Sequence, residues 1–396
     1  MSSQLNLIAF VLFACSMFVR SPDPVIPQIA GDMAIDPVTV ALLTTAFTLP
    51  YALVQPLFGA LADMFSKSRM MLICLLTGSV ATFICGFATS FEVLVVARVV
   101  AGLATGGVMP IAFALVGDKF PIAERQVAMG RLLFAIMSGN LLGATFSGVI
   151  GDLVGWRGVF FVTGAFAVIA LIAATPGLRG FAQSTGRFDL STVGPNYRTI
   201  FSNPLAKICY TVVFLEAVFM YGLFPHIATL MHDSGETRAS IAGLVLGGFG
   251  IGGALYALSV SRVLPRVGET WLMRAGGVVM GSCLLMVAMR WPWPVEFVTF
   301  VLLGCGFYML HGVIQIYASE LAPSARGSAM ALHSFFFFMG HAVGPIVYSV
   351  GMATVGVTPV LVFGAGVLIV AGFVCAQWLR RSPPTPKPTP TTAPPA

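Results

Sequence analysis

Five ionisable side chains stand inside stretches otherwise too apolar to hold them: Asp23, Arg98, Glu216, His311 and His333. An ion within a membrane-crossing segment is costly unless paired or hydrated, so each marks a place where ions or substrates are handled. Asp23 lies about five residues, and Arg98 about six, from the same end of their runs, which at 1.5 Å per residue puts them at similar depth. They are expected to pair, with Arg20, one turn from Asp23, as a rival for the carboxylate. In the alternative, Arg98 bonds backbone carbonyls released by Pro24 and Pro27, and Asp23 faces water. Glu216, His311 and His333 lie roughly eight to ten residues from the other end of their runs, ~12–15 Å deep and near a bilayer's middle. A Glu and two His at one level can pass a proton near neutral pH. Each His taken alone reads equally as a packing residue. The three could also bind a transition metal, but no Cys-, Met- or His-rich path leads to them, so no metal and no cofactor are expected.

The elements that position these residues follow from composition. The chain has 396 residues, 57% hydrophobic and only 9% charged, against roughly 25% charged in a soluble protein. Its 43 Gly and 32 Phe suit helices packed in lipid. A ruler of about 20 apolar residues gives twelve spans: 5–28, 38–63, 69–89, 92–117, 124–151, 157–176, 206–229, 238–263, 270–289, 295–319, 325–350 and 358–379. The first span lacks the charged start and small-residue cleavage site of a removable leader. Residues 1–176 then form one six-helix bundle, 177–205 a polar cytoplasmic linker, 206–380 a second bundle, and 381–396 a disordered Pro-rich tail. The net charge of +6 is spread over helix ends, so no nucleic-acid partner is expected. The seven Cys lie in apolar runs without paired spacing, which predicts neither disulfides nor zinc.

Lys and Arg gather on one side of the twelve spans, including Lys67, Arg69, Lys119, Arg125, Lys207, Arg262, Arg266 and Arg326. The other side holds only Arg157, Arg238 and Arg290, with Arg20 near it. That bias predicts cytoplasmic termini in a bacterial inner membrane. The halves are related: Gly102 and Gly304 differ by 202, as do Pro121 and Pro323, while Gly139 and Gly340, and Gly143 and Gly344, differ by 201. Pro27 to Ala30 and Pro225 to Ala228 share P-x-I-A. A parallel repeat of this length is a transporter layout.

Gly139, Gly143, Ser147 and Gly151 recur every four residues along the fifth span, leaving one helix face bare for a close-packed neighbour. With Gly130 before them and Gly148 after Ser147, the spacing resembles the fifth-helix antiporter motif of drug:proton antiporters in the major facilitator superfamily, with Ala144 in place of its Pro. Gly59 to Arg69, G-A-L-A-D-M-F-S-K-S-R, is similar to the superfamily's signature between helices 2 and 3, keeping Gly59, Asp63, Lys67 and Arg69. Arg98 to Gly106 resembles its fourth-helix motif, and Arg20 to Pro27 the first-helix motif of twelve-helix exporters.

The resemblance implies an all-α membrane protein of twelve helices in two pseudo-symmetric six-helix bundles. It implies proton-coupled efflux of a small drug or metabolite by alternating access, with Asp23 and Arg98 coupling protons; Glu216 and His333, placed by their depth, are expected to join them. Asp63 would latch the halves near Ser324, and the small-residue faces of helices 5 and 8 (Gly243, Gly247, Gly248 and Gly252) would meet at the seam. Tyr51, Gln55, Asn140, Tyr221, Tyr308, His311 and Gln315 would line the substrate pocket, while Phe335 to Phe338 read as a packing and lipid stripe. A porter of the same fold for a sugar, amino acid or organic anion, by symport or facilitated transport, is the alternative. No hydrolase, metalloprotease or nucleotide-binding pattern appears, so no enzyme is expected. The expected partners are a small substrate, protons and the bilayer, with the chain acting as a monomer.

Overall fold

The computed structural model describes residues 2–120, 122–178, 193–322 and 325–379, with the backbone alone at 59–64 and at a few helix ends. All regular structure among the described residues is helical. The first pass is α1 (Ser2–Arg20), a 3-10 turn (Asp23–Val25) and α2 (Ile26–Met33); the second is α3 (Pro37–Val40) and α4 (Leu42–Met64). Then come α5 (Lys67–Phe87), α6 (Phe91–Gly106) with α7 (Val108–Lys119), and α8 (Ile122–Leu178). After α9 (Val193–Ser202) follow α10 (Pro204–Tyr221) with α11 (Phe224–Asp233), α12 (Ala239–Ala288), α13 (Trp293–Glu320), α14 (Arg326–Thr354) and α15 (Val357–Trp378). Ten of these stretches are long and apolar enough to cross a bilayer, and two, at 52 and 50 residues, are long enough to cross twice. Each of those two reverses at a glycine in the left-handed region, Gly155 (φ 74°) in α8 and Gly268 (φ 76°) in α12, a conformation that a β-carbon disfavours. Twelve passes result, as the sequence predicts.

Local chemistry explains the starts and breaks. Asp36 accepts the Thr39 N–H at 3.2 Å and Asn203 the Leu205 N–H at 3.0 Å, each capping a helix whose first residue is proline. α1 stops where Pro22 and Pro24 remove two backbone donors. The stretch expected to be wholly linker contributes α9, which buries its Ile200 side chain in the C-terminal core. Residues 179–192 and 380–396, including the whole tail, and Pro121, Pro323 and Ser324 lie outside the described residues.

Large apolar side chains such as Ile73, Ile172, Leu258, Phe363 and Val370 stay exposed along the helices, as in a protein whose solvent is lipid. Each half has its own core. Ala144, Phe338 and Ala239 each join a core formed by the other half. The repeat is visible in backbone contacts. A β-carbon on Gly139 would strike the Phe13 carbonyl and one on Gly340 the Phe214 carbonyl, both pairs 201 apart. Gly102 lies against the Phe47 carbonyl and Gly304 against that of Phe249, both pairs 202 apart. In helices 1 and 7 the offset falls to 198 at Pro27 and Pro225, which both lie in the first turn of a restarted helix. The three-residue turn Asp23–Val25 accounts for the change.

We call the end of the bundle bearing Lys67, Lys119 and Arg326 the basic end. Among the described residues, hydrogen bonds between the halves lie at mid-depth or toward the opposite end: Thr45 to Ala342 O, Ser349 to Val38 O, Tyr308 to Met137, Thr145 to Gly243 O, Arg20 to Tyr221 O, and Asp152 to the start of α12. The bundle is closed at that end.

Candidate functional site

Asp23 is completely buried in the turn that interrupts the first pass. Its carboxylate accepts from Arg20 Nη1 at 3.0 Å and Thr44 Oγ1 at 2.9 Å. The expected Asp23–Arg98 pair is therefore replaced by Asp23–Arg20. Arg98 instead donates to Phe18 O at 2.8 Å and to Leu43 O at 3.4 Å, its guanidinium 4.3 Å from the Phe47 ring centre. The reason is in the sequence. In a helix the Phe18 carbonyl would accept from residue 22, and Pro22 has no N–H to give. Pro22, rather than Pro24 or Pro27, frees the Phe18 carbonyl that Arg98 takes.

Arg20 also reaches the other half. Its guanidinium lies 4.9 Å from the Tyr221 ring and 4.6 Å from Phe224, with Nη1 3.5 Å from Tyr221 O. His341 stacks on Tyr221 at 4.9 Å, and both of its ring nitrogens are buried without a partner. Sequence reasoning passed over His341, although His333, Phe337 and His341 recur every four residues on one face.

The second-half layer is assembled. Glu216, on α10, is fully buried, and its Oε2 lies 2.8 Å from His311 Nδ1, on α13. The His333 ring, on α14, is 5.1 Å from that of His311. Glu216 Oε1 and His333 Nε2 have no hydrogen-bond partner. A carboxylate at hydrogen-bond distance from an imidazole can share one proton with it, and among the described residues no other ion pair holds either group. Among the described residues, no group of three or more His, Cys, Asp or Glu is placed to hold a metal ion.

Around this layer, Tyr221 contacts Phe307 and Phe337, and Tyr308 donates to Met137 Sδ across the halves at 3.1 Å. Tyr51 stacks on Phe47 and meets Phe338 at 4.8 Å, while Gln55 Nε2 and Asn140 Oδ1 are buried and unpartnered. Gln315 is half-buried, one turn from His311. Phe337 and Phe338 face the site and not lipid: Phe337 touches His311 and His341.

The glycine stripe divides. Gly139 and Gly143 pack on the α1 backbone at Phe13 and Met17, within their own half. The seam with α12 is formed by Ala144, Thr145 and Gly148 against Gly243, Gly247 and the start of α12 at Ala239 and Ser240. Residues 144 and 148 sit 100° around the helix from 143 and 147, so one motif serves two faces. Gly248 and Gly252 likewise turn from the seam, toward α13 at Phe297 and Val301. Ser147 is buried with a free Oγ, Gly151 lies against Val25, and Gly130 borders open space. At the basic end Lys67 is buried and bonds Asp118 at 2.6 Å, a partner that the sequence reading missed, while Arg69 is exposed. Gly59 and Asp63 fall on α4, but their side chains lie outside the described residues.

The pattern of the Major Facilitator Superfamily matches residues 8–323 and 209–395. The chain is 25% identical over 345 residues to multidrug resistance protein 1 of Bacillus subtilis (strain 168), covering 87% of this chain and 88% of that one. It is 27% identical over 355 residues to the quinolone resistance protein NorA of Staphylococcus aureus (strain Mu50), covering 88% and 89%. Among solved structures, a bacterial homolog of the human lysosomal transporter Spinster, inward-facing and unoccupied, superposes with a TM-score of 0.72 at 18% identity, covering 95% of each chain. The POT family transporter PepTSo gives 0.76 at 14%, covering 95% and 97%. With a family match along nearly the whole chain and a fold shared with solved transporters of that kind, the chain belongs to the Major Facilitator Superfamily and is a membrane transporter, not an enzyme.

Proposed function

We propose that this transporter expels a small organic molecule across a bacterial plasma membrane in exchange for protons, by alternating access. The observation that carries the proposal is the buried Glu216–His311 contact of 2.8 Å, with Glu216 Oε1 unpartnered. The relatives' names, multidrug and quinolone resistance, support export and an organic substrate. The basic end faces the cytoplasm by the distribution of Lys and Arg, and both termini lie there. Bundles 1–176 and 206–380 rock about the seam, joined by the linker 177–205, and a single chain carries the whole pathway.

Closed at the opposite end, the site opens to the cytoplasm. The Glu216–His311 pair gives up its proton there and substrate enters among Gln55, Asn140, Tyr221, Tyr308 and Gln315. After the rocking step, a proton arriving from outside neutralises Glu216 and weakens its hold on the substrate. A carboxylate that cannot keep proton and substrate together makes the exchange obligatory. Asp23 compensates the Arg20 charge beside the seam, and Arg98 holds the broken first pass in shape.

The test is proteoliposomes with an imposed pH gradient and a quinolone as probe. Wild type drives accumulation, and Glu216→Gln lowers the gradient-driven rate at least tenfold while still exchanging probe for probe. Gradient-driven transport by Glu216→Gln at the wild-type rate overturns the proposal.

A further inference from the structure

Far from the Glu216 layer, at the opposite end of the C-terminal half, the loops after α11 and α12 enclose a cavity of about 190 Å³ with the first turn of α13. Glu296 lines it, 6% exposed, and its Oε2 has no hydrogen-bond partner. Arg290 lines it too, in a left-handed conformation (φ 57°) just past α12, with Nη1 tied to Leu230 O at 2.8 Å. No ion pair joins the two side chains. Glu236, also in the wall, already binds Arg238 at 2.6 and 2.8 Å, so Glu296 is the acceptor left over. Trp291 and Trp293 complete the wall.

One small cavity thus presents a guanidinium and a buried carboxyl that form no ion pair with each other, one carboxyl oxygen being left without a donor. A ligand carrying the opposite two charges would satisfy both. The unpartnered carboxylate oxygen needs an N–H or O–H donor, which a primary ammonium has and a quaternary ammonium lacks. The guanidinium fits an oxyanion such as phosphate. The site lies where the span Ala239–Ala288 ends and Trp293–Glu320 begins, and paired tryptophans at such a junction mark the level of lipid headgroups. We propose that this cavity binds an ethanolamine-phosphate zwitterion, its ammonium on Glu296 and its phosphate on Arg290. The site is separate from the transport pathway and does not rest on the exchange reading.

The same headgroup exists on a phospholipid and as a free solute, and the experiment separates the two. The full chain in detergent is titrated by native mass spectrometry with phosphatidylethanolamine, phosphatidylcholine and soluble phosphoethanolamine. Phosphatidylethanolamine should bind at least tenfold more tightly than phosphatidylcholine, and Glu296→Gln and Arg290→Gln should each cut that affinity about tenfold, in line with loss of a charge-assisted hydrogen bond. Phosphoethanolamine binding with the same sensitivity, and no preference among lipids, assigns the site to a solute. Should Glu296→Gln not fold, Arg290→Gln, at a half-buried position, gives the same reading. Equal binding of the two lipids without phosphoethanolamine binding, or folded variants that bind as wild type does, overturns the site.

Discussion

Gly148→Leu should unlatch the closed end, and Gly143→Leu, five residues earlier on the same helix, should not. A β-carbon at Gly148 would lie 3.0 Å from the Ala239 carbonyl carbon and 3.1 Å from Ser240 Cα, and closer still to the Ala239 oxygen. These atoms belong to the other half and to backbone, so no side chain can swing aside. Ordinary contact begins near 3.4 Å, so clearing the Ala239 oxygen requires the halves to part by about one ångström for the first carbon alone. Overpacking of this kind costs about 1–3 kcal/mol. Because the strain exists only while the end is closed, the closed-to-open ratio should fall roughly 5- to 150-fold, at 1.4 kcal/mol per tenfold. At Gly143 the added carbon meets Met17 O at 2.7 Å and Met17 Cα at 2.8 Å, within the N-terminal half. That strain is present in both conformations and should lower the melting temperature without opening the end. The reporter is Ser349→Cys, since Ser349 is 7% exposed and bonds Val38 O across the closure. Its alkylation by a polar maleimide in purified protein should speed up with Gly148→Leu and stay slow with Gly143→Leu. Unchanged alkylation in Gly148→Leu, or equal acceleration in both, refutes the assignment of faces.

Glu216→Gln and His333→Ala should be non-additive in proton-driven transport, the double variant being no slower than Glu216→Gln alone, because both act on one shared proton; additive losses would separate them. Asp23→Asn strands the buried Arg20 charge, a change that typically costs about 3–5 kcal/mol, and adding Arg20→Gln should recover most of the lost thermal stability; a double variant no more stable than Asp23→Asn would return the partnership to Arg98. Asp152 accepts from Ala239 N at 2.8 Å and Ser240 N at 2.9 Å, capping α12 from the other half. Its loss in Asp152→Ala, about 1 kcal/mol for a cap, should raise Ser349→Cys alkylation about fivefold, and no change would make the cap incidental.

The twelve passes and the repeat were legible because both rest on patterns that a one-dimensional scan can count. The Glu216–His311–His333 layer was legible for a related reason: depth along a helix is sequence distance multiplied by a fixed rise. What depth cannot supply is azimuth. Asp23, Arg20 and Arg98 share one level, and the choice of partner turned on a carbonyl that Pro22 leaves without a backbone donor. Azimuth also divided the glycine stripe between α1 and α12, and it turned Phe337 and Phe338 inward from a run that circles its helix. Asp118 escaped because a carboxylate at a helix end reads as solvated until Lys67 is seen buried beside it.

Where the chemistry sits is best understood by what the repeat fails to match. At the offsets that align the glycine contacts, Glu216 corresponds to Cys15, His333 to Leu132 and His311 to Met109, all apolar, and Arg98 to Phe300. The titratable layer therefore belongs to one half only, on a frame that both halves share. Asp23 has no counterpart at all, since it lies in the three residues by which the first pass exceeds the seventh. Arg20 corresponds to Tyr221, and the two touch. In a two-fold arrangement, a residue meets its own mate only near the axis, so this cation–ring contact marks where the halves come together at the closed end. Opening that end must break it. The Arg20 charge then loses its aromatic cover but keeps Asp23, three residues away on its own chain segment. An arginine paired within its half can leave the other half without becoming an unpaired buried ion, which an Asp23–Tyr221 or Arg20–Glu216 pairing across the seam would not permit.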